Sequence, residues 1–171
     1  SKHKSDLVLG LYDIKSCIEH RLGMSVKSFI GSAPTLLNAS DATLVTYVID
    51  GVNLQDDDIA EINNISTSSK MKDRIAAIYA KGGNIVFKEY ESETFRNNLD
   101  LIDSGLPFVL SVAILCYYSA RRKSSLKEIT AEVAKVNPLG TTVSDKEMYY
   151  EKKLTRLLEA SALGMFPSKP Y

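Results

Sequence analysis

The run from Leu106 to Tyr118 constrains the fold more than any other segment of the chain. It is apolar nearly all round, so as a helix it has no face to offer water and belongs at the centre of a core. At 13 residues it is also too short to cross a bilayer, which takes about 20. Ser104-Gly105-Leu106-Pro107 starts this helix, with proline near its first turn. Other helices are expected around it. Phe95, Leu99 and Ile102 form one helical stripe within 92–102, Leu126, Ile129, Val133 and Val136 form a second, and Tyr150, Leu154, Leu157 and Leu158 a third. Asn137-Pro138 ends the second stripe.

The first hundred residues read differently. Leu7, Leu9 and Leu11 alternate within Asp6 to Asp13 and predict a strand. Met24 to Ile30 alternates as well, so a second strand is expected there, with the residues between forming the connection of a hairpin. After Gly31-Ser32-Ala33-Pro34, residues 35–40 read as one helical turn and Thr43 to Ile49 as a third strand. Asp56-Asp57-Asp58 suits a helix N-terminus within 54–64. Met71, Ile75, Ile78 and Tyr79 mark a helix that Lys81-Gly82-Gly83 closes, and Asn84 to Tyr90 is a fourth strand. The expected class is α/β or α+β, a single domain with a sheet-rich part over 1–104 and a helical part over 105–171. The fold class is a mixed sheet with an N-terminal antiparallel hairpin, flanked by helices.

A balance of 21 basic and 21 acidic residues gives no overall pull toward nucleic acid, although a cleft can still concentrate positive charge. Cys17 and Cys116 stand far apart without CxxC spacing, which argues against zinc and against a disulfide framework, and both are expected to be buried, reduced thiols. With no secretory signal, the protein reads as cytoplasmic. The chain opens on Ser1 and closes on a loop-like Pro167-Ser168-Lys169-Pro170-Tyr171, so it is read as a piece of a longer protein.

The sharpest chemical signal is Asp6 on the first strand followed by Ser25-Val26-Lys27 on the second. Phosphodiester hydrolysis needs a cation to neutralise charge at the scissile phosphate and a group to position or deprotonate water. Positions 25 and 27 of a strand point the same way, so both can serve one site. Serine and lysine on a half-exposed strand are commonly just solvated, and spacing alone does not decide between the two. Asp13-Ile14-Lys15 is a rival DxK, but an odd separation of seven turns Asp13 and Asp6 to opposite faces of one strand. His20, without a second histidine at ligand spacing, is assigned no role.

Residues 24–40, Met-Ser-Val-Lys-Ser-Phe-Ile-Gly-Ser-Ala-Pro-Thr-Leu-Leu-Asn-Ala-Ser, resemble the signature of the HpaII-type restriction endonucleases, an S-[IV]-K-S strand running into a G-x-x-x-T-L-L-N-A-S loop. Ser5 to Leu9 resembles the family's aspartate-bearing strand. The resemblance covers residues 5–50 and is diffuse beyond them. It implies a PD-(D/E)xK nuclease fold, a type II site-specific deoxyribonuclease acting on double-stranded DNA at a short GC-rich palindrome, and Mg²⁺ as cofactor. Asp6 is then the metal ligand and Lys27 the residue that orients water. Ser25 stands where most members of that fold place an acid, which leaves the metal site one carboxylate short.

The segment leaving that strand is placed to touch DNA. Asn38 carries the donor and acceptor needed for a base edge, and Ser28, Thr35 and Ser40 can bond phosphate or base. Turn capping accounts for Asn38 and Ser40 equally well. Lys70, Lys72 and Arg74, and separately Arg121-Arg122-Lys123, are basic clusters that read as solvated helix ends or as duplex contacts. A homodimer matches a two-fold site. The alternative function is a non-catalytic DNA-binding module using the last two helices, although the nine or so residues between them exceed a helix-turn-helix connection. One geometric expectation follows from the hairpin: Asp6 pairs with Ser25 or Lys27, all three share a face, and Leu7, Leu9 and Leu11 pack on the other.

Overall fold

The computed structural model describes residues 7–15, 17–24, 43–120 and 125–162. Asp6, Ser25, Lys27, Ser28, Thr35, Asn38 and Ser40, the helical turn expected over 35–40 and the Arg121-Arg122-Lys123 cluster lie outside them. The order of elements is β1 (Leu7–Asp13), β2 (Ile18–Met24), β3 (Val45–Asp50), α1 (Asp56–Asn63), α2 (Lys70–Ala80), β4 (Asn84–Tyr90), α3 (Glu93–Ile102), α4 (Leu106–Ser119), α5 (Leu126–Val136) and α6 (Lys146–Ala162). The class is α+β, with β1 and β2 pairing antiparallel in one two-stranded sheet and β3 and β4 in another.

α4 holds the centre, as its apolarity requires. Leu106 and Leu110 on one flank join Tyr90, Phe95, Leu99 and Leu157, while Val109 and Ala113 on the other join Val133, Ala134, Tyr150 and Leu154. Spacings of four residues put each pair on its own side of the helix, so one element serves both clusters. Burial reaches only as far as Ala113, and Tyr117 and Tyr118 stand half out of the core. Sheet β3–β4 is tied to α4 by phenols: Tyr47 donates to the carbonyl of Ser111 at 2.7 Å and Tyr90 to that of Pro107 at 2.8 Å. Phe87 packs its ring against Tyr47, Tyr90 and Phe108 with centroids 5.1–6.3 Å apart, a range in which edge-to-face pairs are favourable.

Local signals explain the element ends. The Asp58 carboxylate accepts the Gln55 N–H at 3.0 Å at the start of α1, and the same side chain takes Lys81 Nζ at 2.8 Å. Lys81 also reaches Glu61 at 2.7 Å, and these two hydrogen bonds, Asp58 first, push its ammonium up to about 12. Gly82, at φ +84°, turns the chain out of α2, and a Cβ on Gly83 would come within 2.9 Å of both Ile78 and Val52. Ser125 and Glu128 form a reciprocal cap on α5, and Asn137 closes that helix in the left-handed region at φ 53°.

α3 and α4 meet at a bend of 109°. Asp103 fixes it: its carboxylate accepts from Gly105 N–H at 2.9 Å, from Lys153 Nζ of α6 at 2.7 and 2.8 Å and from Arg156 at 3.2 Å. Burial alone would raise this carboxyl. The hydrogen bonds from Lys153 and Gly105 and the two positive charges outweigh burial and hold it below the ordinary aspartate value. Among the described residues no single helix is long and apolar enough to cross a membrane.

Three expectations need correcting. The second strand is described at Ile18–Met24, upstream of the expected start, and the turn is confined to residues 14–17. Cys17 is exposed in that turn at φ 56°, whereas Cys116 is half-buried and burial raises its thiol pKa. In α5 the buried side chains are Thr130, Val133 and Ala134, while Leu126 and Val136 at the two ends are exposed.

Candidate active site

The hairpin is the described element nearest in sequence to the candidate catalytic residues Asp6, Ser25 and Lys27. Its register runs from Leu7 opposite Met24, through Leu9–Leu22 and Gly10–Arg21, to Asp13 opposite Ile18. Strand alternation then separates two faces. Positions 7, 9, 11, 13, 18, 20, 22 and 24 share one, which is mostly leucine, isoleucine and methionine; positions 8, 10, 12, 19, 21 and 23 share the other, made of Val8, Gly10, Tyr12, Glu19, Arg21 and Gly23. The expected antiparallel hairpin is therefore present, and Leu9 and Leu11 share one of its faces. They do not pack there: Leu9 is 39% and Leu11 50% exposed.

Asp6 precedes Leu7 and Ser25 follows Met24, so both adjoin the last described pair of the ladder in sequence while lying outside the described residues, as does Lys27. The structure thus brings none of the three into view. Of the rival DxK, Asp13 ends β1 opposite Ile18, and Ile14 and Lys15 lie in the turn rather than on a strand. Lys15 therefore lacks the strand setting that the motif gives its lysine.

The described residues do not complete a metal site. No three His, Cys, Asp or Glu side chains among them converge to hold an ion. Glu19 is the one described acid on the Val8 face, and it lies six strand residues from position 25, about 20 Å of extended chain. It instead lies 3.5 Å from the Arg21 guanidinium. Of the basic cluster on α2, Arg74 donates to the carbonyls of Asn63 and Ile65 at the end of α1, where its charge suits the helix dipole. That gives it a structural task which its sequence position did not reveal.

A concavity of about 340 Å³ opens between β3, β4, α1, α2 and α4, lined by Tyr47, Ile49, Ile59, Met71, Ile85 and Tyr118 among others. Its walls are mostly hydrocarbon and phenol, with Asn63 and Arg74 as the other polar residues and no carboxylate to hold a metal ion for phosphodiester chemistry.

The α+β architecture and its N-terminal hairpin are consistent with a restriction-endonuclease-like fold, and the comparison with known families is direct. A family model described as HpaII restriction endonuclease matches residues 1–171, and the chain belongs to that family. A curated relative that it matches is "Type II restriction enzyme HpaII" of Haemophilus parainfluenzae, 40% identical over 167 residues, covering 98% of this chain and 45% of the relative. The chain thus spans less than half the length of that relative. No solved structure matches it.

Proposed function

We propose that this chain is a nuclease domain of a type II site-specific deoxyribonuclease, which hydrolyses double-stranded DNA at a short, GC-rich palindrome. The observation that carries the reading is family membership over the whole chain, coupled with a paired hairpin whose strands lead directly to Asp6 and Ser25. In this reading the ladder continues by one pair, Asp6 opposite Ser25, and Lys27 falls on the same face two residues further on. Lys27 then positions the attacking water by donating to it. Asp6 would serve as a ligand for Mg²⁺, which would supply positive charge at the scissile phosphate. Ser25 contributes a hydroxyl where an acid is usual, so a further carboxylate must come from elsewhere. Asn38 reads a base edge, while Ser28, Thr35 and Ser40 hold phosphate or base. The active form is a cytoplasmic homodimer, whose two-fold axis coincides with that of the site.

The alternative, a non-catalytic DNA-binding module, would use α5 and α6. Nine residues, 137–145, separate them, and Tyr150 Oη staples that connection by donating to Asn137 Oδ1 at 2.7 Å and accepting from Leu139 N–H at 3.1 Å. A helix-turn-helix uses a connection of about 3–4 residues, so nothing favours this second reading.

Incubating the full-length protein with plasmid DNA and Mg²⁺ should yield discrete fragments. Lys27→Ala and Asp6→Asn should each lower cleavage by orders of magnitude while leaving specific binding in Ca²⁺ intact. Full cleavage by the Lys27→Ala protein would remove the assignment.

A further inference from the structure

Resting on the reading that the hairpin carries the cleavage site, we propose that Arg21 grips a backbone phosphate of the bound duplex flanking the scissile one, and that Glu19 holds the guanidinium in place until DNA arrives. Arg21 lies on the Val8 face, the one opposite the leucines, and its side chain is 77% exposed. A planar guanidinium with several donors matches phosphate oxygens two at a time. Its present partner is weak: the contact to Glu19 is 3.5 Å long between two exposed side chains, a kind of pair worth about 0–1 kcal/mol, so a phosphate displaces it readily.

The surroundings of Arg21 point the same way. Gly10 pairs directly with it, and Gly23, paired with Val8, lies two positions along β2 on the same face. Glycine inside a strand weakens the strand, and its recurrent use is to admit another backbone at close range. Among the described residues, the two glycines leave Val8 as the one hairpin side chain on this face between Arg21 and the last described pair of the ladder. The free protein does not need Gly10 for space, because a Cβ there would meet Glu19 Oε1 at 3.5 Å, an ordinary contact. What the missing side chain leaves open is the room above the sheet. Four strand residues, about 13 Å, separate positions 21 and 25, so a duplex laid along the hairpin presents several phosphates between them.

The test is equilibrium binding of the full-length protein, by fluorescence anisotropy in Ca²⁺, to duplexes with and without the cleavage site over a range of salt concentrations. Arg21→Ala should weaken both duplexes alike, about tenfold, and lower the salt slope by about one. With Mg²⁺ it should raise KM and leave kcat at saturating DNA unchanged. Arg21→Lys should retain the salt slope. Gly10→Val, a good strand former, should keep the thermal midpoint of the wild type yet weaken binding by covering this face. Wild-type affinity and slope in Arg21→Ala, with the wild type binding and cleaving normally, would overturn the proposal while sparing the nuclease reading. A wild type that neither binds nor cleaves duplex DNA would overturn both.

Discussion

The helical part of the molecule and the β1–β2 hairpin use apolar residues in opposite ways. Around α4, Leu99, Leu106, Val109, Val133, Tyr150 and Leu157 are sealed from water on every side. In the hairpin Val8, Leu9, Leu11 and Tyr12 are 39–63% exposed although each takes part in a regular ladder. Hydrogen bonding builds the hairpin; burial builds the rest. Two strands alone are marginal in water, so the stability of the chain resides in the helices and β3–β4, while the family signature sits next to the element that contributes least to it.

That contrast can be broken by experiment. Leu99→Ala removes a fully buried side chain from the cluster around Tyr90 and should cost about 2–5 kcal/mol by urea unfolding. Leu11→Ser, on the exposed face of β1, should stay within about 0.5 kcal/mol. A large loss for Leu11→Ser would mean that the face is covered in solution.

Asp103 tests whether the α3–α4 corner contributes as much as its geometry implies. Asp103→Ala leaves Lys153, itself 13% exposed, without its carboxylate and should cost about 1–3 kcal/mol at neutral pH. The Asp103 carboxyl lies below 3.8 in the folded state, so its contribution is present above that pH and disappears as pH falls through the lower, folded value. The variant should therefore converge on the wild type in acid, as thermal melts from pH 6 downward would show. Equal melting differences at all pH values would place the effect in packing.

A smaller loss than at Leu99 or Asp103 is expected at Tyr150→Phe. The ring stays buried, but the hydroxyl that joins Asn137 to Leu139 N–H is lost, for about 1 kcal/mol. Its signature is faster amide exchange confined to residues 137–145.

How much of this was legible in the sequence depended on how self-sufficient each element is. β4 falls at its expected bounds because alternation and the preceding Lys81-Gly82-Gly83 agree, and α3 is announced by Ser92, whose Oγ accepts the Phe95 N–H at 3.2 Å. The start of β2 was missed because His20 and Gly23 interrupt the alternation of Ile18, Leu22 and Met24; pairing with β1 makes that segment a strand. In α5 the hydrophobic stripe pointed at Leu126 and Val136, yet a helix end projects beyond the core, and buried Thr130 is accommodated by donating to the Leu126 carbonyl at 2.8 Å. The candidate site was legible only through the resemblance of residues 24–40, since a serine, a lysine and a distant aspartate have no periodicity to betray them.

The position of α4 between two clusters has a cost in handling the protein. Because Leu106 and Leu110 face one cluster and Val109 and Ala113 the other, opening either flank bares a helix with no polar side to turn outward. Partly opened molecules therefore expose a sticky surface and find one another before they refold. Soluble yield on refolding should accordingly fall with protein concentration, and changes that loosen α6 should lower it even where the equilibrium stability changes little.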